Sequence, residues 1–153
     1  MIGKALSAGV RALSQALIVY LLALALGVGI NLNPLSILGV VTIIALGSAL
    51  FSTFSLIIAC LVKTRERFMG IGQVPTMPIF FASNAIYPLS LMPGWLHAVS
   101  RANPLTYQVD APRALMLVEG MSDYGLLLDF GVLLGVTAIL IATAAKMYAR
   151  MGY

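Results

Sequence analysis

SILGVVTIIALGSALFSTFSLIIACLV, residues 36–62, runs for 27 residues without a charged side chain. One helix needs about 20 such residues to cross the hydrocarbon core of a bilayer. The apolar residues are continuous rather than alternating, which selects a helix over a barrel strand. Lipid also requires each spanning segment to pair its own backbone groups. Outward from this run lie three others, at about 12–30, 69–91 and 125–145. The third sits inside the uncharged stretch Phe68–Leu96, which prolines interrupt, and the fourth holds one charge, Asp129. The chain has 153 residues, 61% of them hydrophobic and 9% charged. Its mean hydropathy is +1.02. Soluble domains are about 25% charged and about 45–50% apolar. So much apolar surface exceeds what 153 residues can bury in water. The expectation is an all-α integral membrane protein, a single membrane domain over 1–153 with four transmembrane helices.

Lys4 and Arg11 precede the first run, but its 19 uncharged residues, Ala12–Ile30, exceed a usual signal-peptide core. Four crossings place both termini on one side. That side holds Lys4, Arg11, Lys63, Arg65, Arg67, Lys146 and Arg150 against one acid, Glu66. The other holds Arg101 and Arg113 with Asp110, Glu119, Asp123 and Asp129. The bias predicts cytoplasmic termini, a cytoplasmic KTRERF loop, and an external segment at about 93–123. The net charge of +4 forms no basic stripe and gives no reason to expect nucleic acid. Cys60, the single cysteine, lies in an apolar run and reads as a small packing residue.

Within the second span Ala45, Ser48, Ser52, Ser55 and Ala59 share one helical face. They predict close helix packing, or else a hydroxyl-lined path. Gly131 and Gly135 form a GxxxG pair, a candidate contact face on the fourth span. Pro75 and Pro78 predict a kinked or broken third helix. Asn84 should face protein or a cavity, as packing glue or as a gate residue. Asp129 should snorkel to the interface, or pair with Arg101 or Arg113. The chain has no GxxxxGK[ST] phosphate loop and no His/Cys metal spacing. His97 stands alone and reads as interfacial. No catalytic, cofactor-binding or metal-ligating residue is assigned, and no enzyme is expected.

The least apolar stretch is PGWLHAVSRANPLTYQVDAPRAL, residues 93–115. Pro93, Gly94 and Pro104 break it into two short helices. The first lies around Trp95–Val99, with Trp95 as an interfacial anchor. The second runs from Tyr107 to Val118, with Leu105, Val109, Pro112 and Met116 on one face. Asp110 and Arg113 are three apart, a spacing that suits an ion pair. Such a segment can dip into the membrane from outside only where protein or a cavity covers its irregular backbone. It reads as a cap over an exit route, against a plain external loop.

The stretch IYPLSLMPGWLHAVSRANPLTYQVDAPRALML, residues 86–117, resembles the signature region of ABC-2 type transporter permeases, in the branch of the daunorubicin-resistance and nodulation-factor exporters. Pro88, Pro93 with Trp95, Asn103-Pro104-Leu105-Thr106-Tyr107, Asp110 and Arg113 carry the likeness. It implies the last four of the family's six spans, with two external re-entrant helices before the last. It also implies that the family's first two spans are missing, so that the chain is a fragment, a mis-assigned start or half of a split permease. Pro112 departs from the family, where a helix former is usual. By resemblance, Asn84, Pro88, Trp95, Asn103, Pro104, Asp110 and Arg113 belong to the external gate and substrate route. Lys63, Arg65, Glu66 and Arg67 face a cytoplasmic ATPase or simply anchor the loop. The implied protein is a permease subunit of an ATP-driven exporter in the plasma membrane. Its implied partners are an ABC ATPase that binds ATP and Mg, and a second permease chain. Its cargo is a hydrophobic or amphipathic drug, lipid or glycolipid. Two other classes stand beside it: a non-transporting four-helix scaffold or assembly protein, and an intramembrane enzyme using Asp110, Glu119 and His97.

Overall fold

The computed structural model describes residues 2–62 and 65–151. The described residues form six α-helices: α1 Ile2–Ala25, α2 Pro34–Leu61, α3 Arg65–Phe81, α4 Gly94–Ala102, α5 Pro104–Met116 and α6 Leu126–Met151. A 3₁₀ turn, Leu89–Leu91, lies between α3 and α4. Two of these helices, α2 and α6, are long and apolar enough to cross a membrane. Within α1 the apolar part is shorter, Gly9–Ala25.

Local chemistry sets the ends of these helices. Asn33 caps α2, its side chain accepting from the Leu35 amide at 3.2 Å, with Pro34 in the first turn. Proline suits that position because its missing N–H has no intrahelical partner there. Asn103 and Pro104 start α5 with the same pair of residues. The first helix starts well before residue 12 and stops at Ala25 rather than continuing to 30. Gly27 then takes a left-handed φ of 67°, which favours glycine. Residues 29–31 do not continue the helix; they lie antiparallel to the segment after α5. Ile30 bridges Leu117, the Asn31 amide donates to Met116 O at 2.7 Å, and the Val118 amide donates to Gly29 O at 3.1 Å.

α3 corrects the expected third span. Both Pro75 and Pro78 lie inside a continuous helix, and the break falls later, after Phe81. The prolines remove the amides that would bond Ile71 O and Val74 O, which weakens the helix without ending it. Residues 82–93 turn back through the 3₁₀ element, so the stretch of 69–91 is helical only in its first part.

The centre of the molecule is where α2, α5 and α6 meet. Ile43, Leu50, Tyr107, Ala111 and Leu133 form its buried cluster. On α2 the buried face is Ser36, Val40, Ile43, Gly47 and Leu50, in steps of four and three. This is not the small-residue stripe expected from the sequence: Ser52, Ser55 and Ala59 are exposed. Gly47 is the position of closest approach, because a Cβ there would overlap the Gln108 amide of α5. Likewise Gly131 and Gly135 meet nothing within 4 Å, so the GxxxG pair is not a contact face among the described residues. α6 instead buries Asp129, Leu133, Thr137 and Ala144. Large apolar side chains on α1, including Leu13, Leu17, Ile18, Leu21 and Leu22, are more than half exposed. In water such a surface would be covered by another protein; in a bilayer, lipid serves.

Candidate functional site

Three chain segments converge at one end of the bundle: the break after α3, the bent pair α4–α5, and the loop 117–125 leading into α6. Asn103 sits at the joint. Its Oδ1 accepts from the Leu105 amide at 3.0 Å and so caps α5. Its Nδ2 donates to Ile79 O, one of the last carbonyls of α3. Helix ends leave such carbonyls unpaired. The next amide that could reach it, Ser83 N, bonds Phe80 O instead. One 93%-buried side chain therefore starts one helix and terminates another.

The angle between α4 and α5 is held by two bonds across the joint. Ser100 Oγ and Thr106 Oγ1 share a hydrogen bond of 3.0 Å, with both residues fully buried. Tyr107 Oη donates to Arg101 O at 2.7 Å. The Tyr107 ring packs 5.3 Å from that of Tyr124, and the Arg101 guanidinium lies over Tyr124 at 5.8 Å. Burial pushes both phenols up, with Arg101 opposing the shift at each.

The expected Asp110–Arg113 pair does not form. Arg113 Nη2 donates to Asn84 O at 3.1 Å, tying α5 to the turn after α3. Asp110 points the other way. Its Oδ2 accepts from the Ser122 hydroxyl at 2.9 Å, the Asp123 amide at 2.8 Å and, more weakly, the Tyr124 amide at 3.4 Å. One turn of helix separates the two residues, but each finds a better partner in a different segment. Asp129 does not snorkel and pairs with neither arginine. It is fully buried, and its Oδ2 lies 2.8 Å from Ser122 Oγ. Sequence reasoning missed Ser122, because its partners lie 7 and 12 residues away in the chain. The one available signal was an SDYG turn directly before a helix that opens with an aspartate.

Between α3 and the α4–α5 joint lies an open cleft of about 750 Å³. Pro78, Ile79, Phe81, Trp95, Val99 and Asn103 are among its walls. Pro78 therefore shapes a wall of the cleft instead of breaking the helix. Trp95 is 70% exposed at its rim. Asn84 is buried beside this region, and neither atom of its side-chain amide has a partner. Pro88 precedes the 3₁₀ turn and is exposed. Pro112 lies inside α5, where the helix continues to Met116. Of the residues expected near an ATPase, Glu66 is exposed in the first turn of α3. Lys63 and the side chains of Arg65 and Arg67 lie outside the described residues. Of the three residues of the enzyme reading, Asp110 is buried, His97 half-buried and Glu119 exposed.

A profile of the family described as ABC-2 type transporter matches residues 1–117. Among curated relatives, nodulation protein J of Rhizobium meliloti is 30% identical over 91 residues, covering 60% of this chain and 35% of the relative. The daunorubicin resistance ABC transporter permease protein DrrB1 of Streptomyces coeruleorubidus is 34% identical over 86 residues, covering 56% of this chain and 29% of the relative. The aligned stretches thus span about a third of each relative's length. No solved structure matches the chain.

Proposed function

We propose, for a chain that belongs to the ABC-2 type transporter family, the role of a gate-bearing part of an export permease. In this reading α1, α2, α3 and α6 cross the plasma membrane, with both termini cytoplasmic. α4 and α5 re-enter from outside and cap the substrate route. A separate cytoplasmic ABC ATPase binds ATP and Mg and drives the cycle, and a second permease chain completes the pathway. The cargo is a hydrophobic or amphipathic compound, taken from the cytoplasm or the inner leaflet. Lys63, Arg65, Glu66 and Arg67 lie on the ATPase side. The relatives' names, a drug-resistance permease and a nodulation protein, are compatible with such cargo.

The observation that carries this reading is the cleft between the end of α3 and the α4–α5 joint. Its walls are almost wholly apolar side chains, and it is large enough for a drug-sized molecule. Among the described residues, the two helices above it hydrogen-bond to Ile79 O at the end of α3 and to Asn84 O in the turn after it. A polar group enters its wall from Asn103.

The test uses the chain co-expressed with a cytoplasmic ABC ATPase and purified into nanodiscs. A hydrophobic amphiphile should stimulate ATP hydrolysis. Val99→Trp fills the cleft and should abolish that stimulation while the complex still assembles. Full stimulation in the variant, or no complex with any ATPase, would refute the reading.

A further inference from the structure

Ser122 Oγ has three neighbours at hydrogen-bond distance: Asp110 Oδ2 at 2.9 Å, Asp129 Oδ2 at 2.8 Å and the Gly125 amide at 2.7 Å. A hydroxyl has one hydrogen to give and two lone pairs to receive. The Gly125 amide takes one lone pair. The single hydroxyl hydrogen can satisfy one carboxylate, not two. The remaining lone pair matches a second donor, which the other carboxyl group supplies when it carries a proton.

A separate observation points the same way. Asp110 and Asp129 are both fully buried, and each keeps its Oδ1 out of contact with solvent and without a hydrogen-bond partner. Neither pairs with a cation among the described residues. Arg113 is bonded to Asn84 O, and Arg101 lies over the Tyr124 ring. The other groups facing the pair are Asp123 and Tyr124 of the loop and Tyr107 of α5, none of them a positive charge. α2 carries no charged residue at all. Two buried carboxylates that share one hydroxyl repel each other strongly when both are ionised.

We infer that Asp110, Ser122 and Asp129 form a binding site for one proton. Asp129 carries it and donates to Ser122 Oγ, and Ser122 donates to Asp110 Oδ2. The order along the chain follows from the backbone. Asp110 Oδ2 also accepts from the Asp123 and Tyr124 amides and so already faces three donors, whereas Asp129 has only Ser122 among the described residues. Loss of the proton breaks the Asp129 O–H bond, transfers H⁺ to water and leaves two carboxylates with one donor between them. Because Asp110 belongs to α5 and Asp129 to α6, the proton fastens the capping helix to the last long helix.

The test is infrared spectroscopy on the full chain in detergent at mildly acidic pH, with Tm measured in parallel. Asp129→Asn places an amide N–H where the acid O–H stands. The wild type should show the carbonyl stretch of a protonated carboxylic acid, and both the band and the Tm should fall as the pH is raised through neutrality. Asp129→Asn should lose the band, keep the acid-side Tm and lose the fall. Absence of the band in the wild type overturns the inference even if the variant does not fold. So does survival of the band in the variant. A Tm that drops when choline replaces sodium assigns the site to a metal cation and also overturns it. None of these readouts requires transport, so they fail independently of the export reading.

Discussion

Asn103 makes two hydrogen bonds with different jobs, and two substitutions separate them. Asn103→Ser keeps an oxygen that can cap α5, since serine and asparagine cap about equally well. Its side chain is too short to reach Ile79 O. The loss is then one hydrogen bond plus a buried carbonyl left unpaired, about 1–2 kcal/mol. Asn103→Ala removes the cap as well, which adds about 1 kcal/mol. The expected order is wild type, then serine, then alanine, with the last about 2–3 kcal/mol below the first. That difference corresponds to roughly thirty- to two-hundredfold in the unfolding equilibrium. Denaturant titration in a fixed mixed-micelle background, followed by Trp95 fluorescence, measures it. If serine matches the wild type, the bond to Ile79 O contributes nothing and the α4–α5 joint is not pinned to α3. If alanine matches serine, the cap is not what starts α5.

Gly47→Ala should destabilise the chain by about 1–3 kcal/mol, because its Cβ overlaps the Gln108 amide. Gln108→Ala in the same chain should recover most of that loss, a coupling that a double-mutant cycle in thermal unfolding reads directly. Leu133→Ala leaves a cavity among Ile43, Leu50, Tyr107 and Ala111, and should cost about 2–5 kcal/mol in denaturant unfolding. Gly131→Ala and Gly135→Ala meet open space inside α6 and should each stabilise by about 0.5–1 kcal/mol through helix propensity by the same measurement.

Much of the helical layout was legible because it depends on near neighbours. The Asn33-Pro34 and Asn103-Pro104 pairs start helices through contacts two residues long, although the expected helix after Asn103 began at Tyr107 rather than Pro104. The uncharged runs yield α2 and α6 almost directly. The misreadings share a cause. Asp110 and Arg113 stand one turn apart, yet each is claimed by a segment 12 to 29 residues away. Pro75 and Pro78 have the local property of weakening a helix, but where α3 ends depends on Asn103 capturing a carbonyl from 24 residues further on. Small residues on α2 were visible as a stripe. Which of them faces α5 was not, because that depends on how Gln108 packs against Gly47. Asp129 looked like an interfacial charge for the same reason. Its companion Ser122 is not on its helix at all.

The short antiparallel contact between residues 29–31 and 116–118 has a further consequence. The Asn31 and Val118 amides bond carbonyls across a seam that joins the loop after α1 to the end of α5. Should α5 swing, both bonds break together, although neither residue touches the cleft. Their amide hydrogens are therefore paired reporters. Deuterium should enter the two positions at one common rate, and that rate clocks the movement of α5 away from the seam.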